Sequence, residues 1–292
     1  MVFYFKLFEL INKKFNSFRI TYKLIMKIAV SGKGGVGKTL VAGILARLFA
    51  KDGFKVLAID NDSAMNLSYT LGIDENTKEQ IVPIKEMKSM IEERTFLKSA
   101  GPGVYNINPE VSDIPDKYKV SGPDGLQLLV LGGIEEPATG CLCPENALIR
   151  TLLYNLFVKR DEVVIVDFEA GIEHLGRGTA KGIDLMLVIT EPSQKSLDLC
   201  KKIIELSKKL GVINIYLIAN KIIDDSQKEI INQKIKNWEV PLFHSIPFDT
   251  DIGKADLEGK SPVDFNSNSN GILSIKSLYE KLKKLKQELF DL

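Results

Sequence analysis

From Met26 onward, short apolar runs alternate along the chain with stretches of helical period. Ile28-Ala29-Val30 opens the series, and residues 55–60, 126–131, 162–168, 184–190, 213–220 and 241–246 continue it. Within each run hydrophobic residues follow one another instead of alternating with polar ones, which suits strands covered on both faces. Between most of them lie helical patterns, including 40–50, 84–97, 192–210 and 272–292. In the last, Ile272, Ile275, Leu278, Leu282, Leu285 and Leu289 recur at helical spacing with lysines opposite. The alternation predicts an α/β fold: a doubly wound, mostly parallel sheet with its site at the carboxyl ends of the strands. Residues 26–292 read as one domain, with 73–125 as an irregular, Gly/Pro-punctuated insertion. Residues 1–25 are aromatic and basic and fall outside the pattern; a membrane-surface helix is one reading, and Met26 as the working start is the expected one. They hold neither an apolar run long enough to span a bilayer nor a small-residue cleavage site.

The first strand runs directly into Gly32-Lys33-Gly34-Gly35-Val36-Gly37-Lys38-Thr39-Leu40. Gly-xxxx-Gly-Lys-Thr between a strand and a helix is a phosphate-binding P-loop, so the chain is expected to bind ATP with Mg²⁺ as a P-loop ATPase. Glycines at 32, 34, 35 and 37 allow sharp turns and leave backbone N–H groups open to an anion. The helix that follows adds the positive end of its dipole. Lys38 would neutralise the terminal phosphates and the Thr39 hydroxyl would hold Mg²⁺.

Composition narrows the partners. In 292 residues the charges nearly cancel, at a net +1, which argues against a general nucleic-acid or acidic-membrane partner, and no stable membrane anchor is expected. Three cysteines make no disulfide framework, so a reducing cytoplasm is expected. Two of them form Cys141-Leu142-Cys143, and on an extended segment both thiolates would point to one face. Two ligands do not complete a tetrahedral metal site, whereas a symmetric dimer would supply four. A pair of small, half-buried residues would look the same in sequence. Cys200 and His244 read as structural, as does His174, hydrogen-bonded in its loop.

Lys33 places a second lysine inside the loop, and this resembles the deviant P-loop of the MinD/ParA/nitrogenase-reductase superfamily of dimeric ATPases. The order of this loop, then Cys141-x-Cys143, then 169–179 resembles the CooC-type ATPases, which assist nickel insertion into carbon monoxide dehydrogenase. The likeness runs from about Met26 to the C-terminus. It implies a nucleotide-dependent homodimer in which Lys33 reaches the partner's nucleotide. Asp62, after the second strand, would act on the attacking water, while Asp60 reads equally as a turn residue. Here Ser63 stands where the family often has proline, so the shape of this segment departs from the pattern. Asp167 and Gly171, in Asp-xxx-Gly, would hold Mg²⁺ through water and sense the γ-phosphate. Asn220 and the backbone of Pro247 and Phe248 would recognise adenine. Cys141 and Cys143 of two subunits would share Ni²⁺ or Zn²⁺, with carbon monoxide dehydrogenase as client. A MinD/ParA-type positioning ATPase and a nitrogenase-reductase-like electron carrier are the competing readings.

Overall fold

The computed structural model describes residues 26–96, 104–132, 144–159, 162–169 and 177–290. Along the chain the strands are β1 (Met26–Gly32), β2 (Val56–Asn61), β3 (Val120–Ser121), β4 (Gln127–Val130), β5 (Val163–Phe168), β6 (Leu185–Thr190), β7 (Ile215–Ile222) and β8 (Leu242–Pro247). Among the described residues they form one sheet in the order β3-β4-β2-β5-β1-β6-β7-β8, parallel throughout except for the β3–β4 pair. Six of the eight strands match the apolar runs that follow the first one, with ends shifted by one or two residues. The two-residue β3 carries no apolar run of its own, which is why the sequence does not announce it.

Both faces of the sheet are covered, and that accounts for the continuous apolar runs. On one side α3 (Lys88–Thr95), α4 (Pro144–Val158), α5 (Gln194–Leu210) and α6 (Asp225–Ile235) pack on Ala29, Leu57, Ile59, Val164, Val166, Met186 and Val188. On the other, α1 (Lys38–Lys51), α2 (Leu67–Leu71) and α9 (Asn270–Phe290) pack on Ile28, Val30, Val56, Ala58, Ile165, Leu187 and Ile189. Neighbours along one strand thus face opposite layers, and each fully buried Ile or Leu contributes about 1.5–3 kcal/mol. Ile272, Ile275, Leu278 and Leu282 are all fully buried, so this part of the C-terminal helix's apolar stripe faces the core. His244 on β8 is held in place by that helix, its Nε2 2.9 Å from the Ser274 carbonyl and its Nδ1 3.2 Å from Lys281 Nζ. Burial and the Lys281 charge hold its pKa below the usual value, as befits a structural, neutral ring.

The helix expected over 84–97 is broken. A 3₁₀ turn, Ile84–Glu86, precedes α3, and Met87 between them has ψ 62°, outside the helical range. Ile84 and Ile91 are both buried in the core. The β7–β8 pairing also slips, with a register shift between Ala219 and Ile222. Lys221 within it has φ 59°, so this irregularity re-aims two polar side chains beside the P-loop, as bulges near sites commonly do.

Candidate active site

β1 lies at the centre of the sheet, and its carboxyl end carries the P-loop into α1. Gly32 packs so closely on β6 that a Cβ would stand 2.3 Å from the Ile189 carbonyl oxygen. Gly37 has φ 96°, and a Cβ there would meet Asn220 Nδ2 at 2.3 Å. The loop is clasped from β7: Asn220 Nδ2 donates to the Val36 carbonyl at 2.8 Å, and Lys221 Nζ to the Gly35 carbonyl at 2.7 Å. α1 opens with no capping side chain and no acidic residue in its first turn. Its free N–H groups and dipole therefore meet no competing anion from their own helix, as a phosphate site requires.

Three carboxylates converge on this end. Asp60 and Asp167 are register partners on the adjacent strands β2 and β5, and both are fully buried. Asp60 accepts N–H bonds from Asp62 (3.1 Å) and Leu67 (2.9 Å), bracketing the segment between β2 and α2. Burial still pushes its pKa up to about 6. Asp62 receives the Ala64 N–H at 2.9 Å, forming the Asx turn its position suggests, and its Oδ2 lies 3.6 Å from Lys38 Nζ. The same carboxylate is therefore both a turn former and a partner of the P-loop lysine.

Thr39 Oγ1 donates to Asp167 Oδ2 at 2.5 Å. Asp167 Oδ1 is buried with no hydrogen-bond partner among the described residues, and burial, then the Asp60 and Asp62 charges, push this carboxyl to about 7. A buried carboxylate oxygen without a donor, beside a hydroxyl and a second carboxylate, is an all-oxygen set that fits a hard divalent cation such as Mg²⁺. Thr39 and Asp167 are the residues that would hold it, and its charge would reverse the upward pKa shift. Lys38→Ala should weaken ATP binding at least about a hundredfold, since charge-assisted bonds to the polyphosphate are lost. Titration with a labelled nucleotide reads this directly, and an unchanged affinity would remove Lys38 from the phosphate site.

The cleft in front of the loop measures about 760 Å³. Gly34, Gly35, Gly37, Lys38, Thr39, Leu40 and Asp62 line its inner end, with Glu169 after β5. Its outer wall comes from α2 (Tyr69, Thr70), from α7 (Thr250–Leu257) through Ile252, Gly253 and Asp256, from Gly259 and Lys260, and from Pro262, the first residue of α8 (Pro262–Phe265). Sequence reasoning missed this wall, because nothing in its local pattern marks it as functional. Val36 is buried beneath the loop, whereas Lys33 at its lip is 40% exposed and points towards Glu191. Asn220 is buried behind the loop, with its Oδ1 taken by the Lys221 N–H at 2.8 Å. It is first a clasp of the P-loop, and only its second N–H and second lone pair are left for a base. Pro247 ends β8 and Phe248, half-exposed, donates its N–H to the Ile222 carbonyl; neither is among the residues lining the cleft. Cys141, Cys143, Gly171 and His174 lie outside the described residues.

Comparison with known proteins agrees with this geometry. The CobQ/CobB/MinD/ParA nucleotide binding domain matches residues 27–263. An uncharacterised ATP-binding protein of Methanocaldococcus jannaschii is 42% identical over 265 residues, covering 89% of this chain and 99% of that protein. The carbon monoxide dehydrogenase accessory protein CooC of Rhodospirillum rubrum is 40% identical over 241 residues, covering 82% and 90%. Among solved structures, the septum site-determining protein MinD of Pyrococcus horikoshii complexed with Mg-ADP superposes with a TM-score of 0.63 at 22% identity, covering 90% of this chain and 97% of that one. A strand, a two-lysine P-loop and a helix at the centre of a parallel sheet, together with these matches, show that the chain belongs to the CobQ/CobB/MinD/ParA nucleotide-binding family and is a P-loop ATPase related to CooC.

Proposed function

We propose that this ATPase is a metallochaperone that carries nickel to carbon monoxide dehydrogenase. In this reading two subunits bind the ion between their Cys141-x-Cys143 pairs and couple ATP hydrolysis to its delivery. The observation that carries the proposal is 40% identity to CooC across nine-tenths of that protein, in a chain that also has the two cysteines. Lys38, the loop amides and α1 hold the phosphates, while Asp62 orients the attacking water or accepts its proton. Thr39 and Asp167 would hold Mg²⁺, which would supply charge neutralisation at the phosphates. Lys33, 40% exposed on the loop, would extend to the nucleotide of a second subunit. Gly171 would sense the γ-phosphate, and Asn220, Pro247 and Phe248 would lie towards the base. A positioning ATPase that used its C-terminal helix on a membrane would need Ile272, Ile275, Leu278 and Leu282 free, and these are buried in the core.

The test is metal per subunit measured beside mass in solution. One ion per two subunits is expected for the wild type, because a single Cys-x-Cys pair leaves a tetrahedral site half filled. Metal should then stabilise the dimer by linkage. Cys141→Ser with Cys143→Ser should abolish tight metal binding while ATP still binds. Thiolate ligation displaces protons, so affinity should weaken as pH falls. Full metal content in the double variant, or one ion held tightly by a monomer, would reject the site.

A further inference from the structure

β6 lies beside β1, with Ile189 opposite Gly32 in register, so the chain leaving β6 runs past the P-loop. Its first residue beyond the strand pair is Glu191. The carboxylate of Glu191 stands between two ammonium groups, 3.9 Å from Lys33 Nζ through Oε1 and 3.9 Å from Lys221 Nζ through Oε2. It is oriented from its own side by Ser193 Oγ, which donates to Oε1 at 3.3 Å. Lys221 is committed to the loop through the Gly35 carbonyl. Among the described residues no comparable hydrogen bond ties down Lys33, and its side chain is 40% exposed. A Cβ on Gly34, next to it, would touch nothing within 4 Å, so the outer surface of the loop is open to close approach.

We propose that Glu191 is a positioning residue that holds Lys33 on its own subunit and releases it when Lys33 turns to a nucleotide on a second copy of this chain. The inference rests on the cross-subunit role given to Lys33 above and adds the competing acceptor. One carboxylate charge competes with the several charges of a polyphosphate, so the exchange favours phosphate only when a nucleotide lies opposite. Lys221 remains beside Glu191 when Lys33 leaves, so the carboxylate is not stranded without a cation. The pair is half-exposed and loosely spaced, and such ion pairs shift equilibria by factors of about two to five. Glu191 thereby sets a small cost on the nucleotide-bound dimer, because Lys33 must leave it before reaching a nucleotide on the second copy.

The experiment measures mass in solution against protein concentration, with Mg²⁺ and a non-hydrolysable ATP analogue, for the full chain and three variants. Glu191→Gln should lower the concentration for half-dimerisation about threefold. Lys33→Ala should raise it, and Lys33→Ala with Glu191→Gln should behave as Lys33→Ala alone, because the carboxylate then has no lysine to hold. If Glu191→Gln shifts assembly equally in the Lys33→Ala background, Glu191 acts through Lys221 and the loop, and the proposal is overturned. If Lys33→Ala impairs assembly but Glu191→Gln matches the wild type, the cross-subunit role stands and the holding role falls. Wild-type assembly by Lys33→Ala would defeat both.

Discussion

Asp62→Asn is expected to slow ATP hydrolysis by about 10²–10⁴-fold while ATP remains tightly bound. The carboxylate is set for this task by its surroundings. Its backbone N–H is fixed to buried Asp60, its Oδ1 accepts from Ala64, and its Oδ2 faces Lys38 across 3.6 Å in the cleft. Asparagine keeps the size of the side chain and an oxygen for the Ala64 N–H, so the turn survives. It loses the negative charge and the capacity to take a proton, which are the properties the reaction uses. Removing a charge from the polyphosphate's vicinity gives no reason for weaker ATP binding. Single-turnover hydrolysis beside equilibrium nucleotide binding separates the two effects. Hydrolysis at the wild-type rate would assign the role to a different group, with Asp60 and Glu169 the nearest candidates at this end of the sheet.

Arg47→Ala is expected to cost about 3 kcal/mol of folding stability, read as a shift in the midpoint of urea unfolding. Arg47 lies in the apolar body of α1 and is only 3% exposed. Its Nε donates to Asp124 at 2.8 Å, its Nη1 and Nη2 donate to the two oxygens of Asp264 at 2.8 and 2.9 Å, and Nη1 also reaches the Leu71 carbonyl at 2.9 Å. Burial alone would lower the guanidinium's pKa, but the bonds to Asp264 and Asp124 outweigh it and the pKa is raised. This one side chain ties α1 to the end of α2, to the turn before β4 and to α8. Truncation leaves a void, a buried carbonyl without its donor and two carboxylates without their cation. Asp264 is half-exposed and regains water, which keeps the expected loss towards the lower end of what a broken buried pair costs. Arg47→Lys should recover only part, since an ammonium cannot span Asp264 with two parallel bonds. Because α8 borders the cleft through Pro262, nucleotide affinity should fall alongside stability. An unfolding free energy within about 0.5 kcal/mol of the wild type would show that the cluster is only a surface network.

The parallel sheet and the P-loop could be read directly from the chain because both are written in neighbouring residues. Strands covered on both faces must be apolar at every position, and a phosphate loop must place its glycines and Lys38 within a few residues of one another. Thr39, next to Lys38, was legible for the same reason. Asp60, Asp62 and Asp167 were each visible as carboxylates after strands, but their convergence depends on β2 lying next to β5 with Asp60 opposite Asp167. The packing of the C-terminal helix was open in sequence, since an apolar stripe shows that something covers it without saying what. Arg47 gave no signal at all: among Ile44, Leu45, Leu48 and Phe49 it reads as a helix cation, and its partners are 24, 77 and 217 positions away. Asn220 likewise looked free to read a base until the slip between β7 and β8 turned it onto the P-loop. Periodicity reports whether a position is buried, and local motifs report chemistry held within one turn of chain. Which donor meets which buried acceptor is decided by strand order and crossover, and these exist only once the sheet has closed around β1.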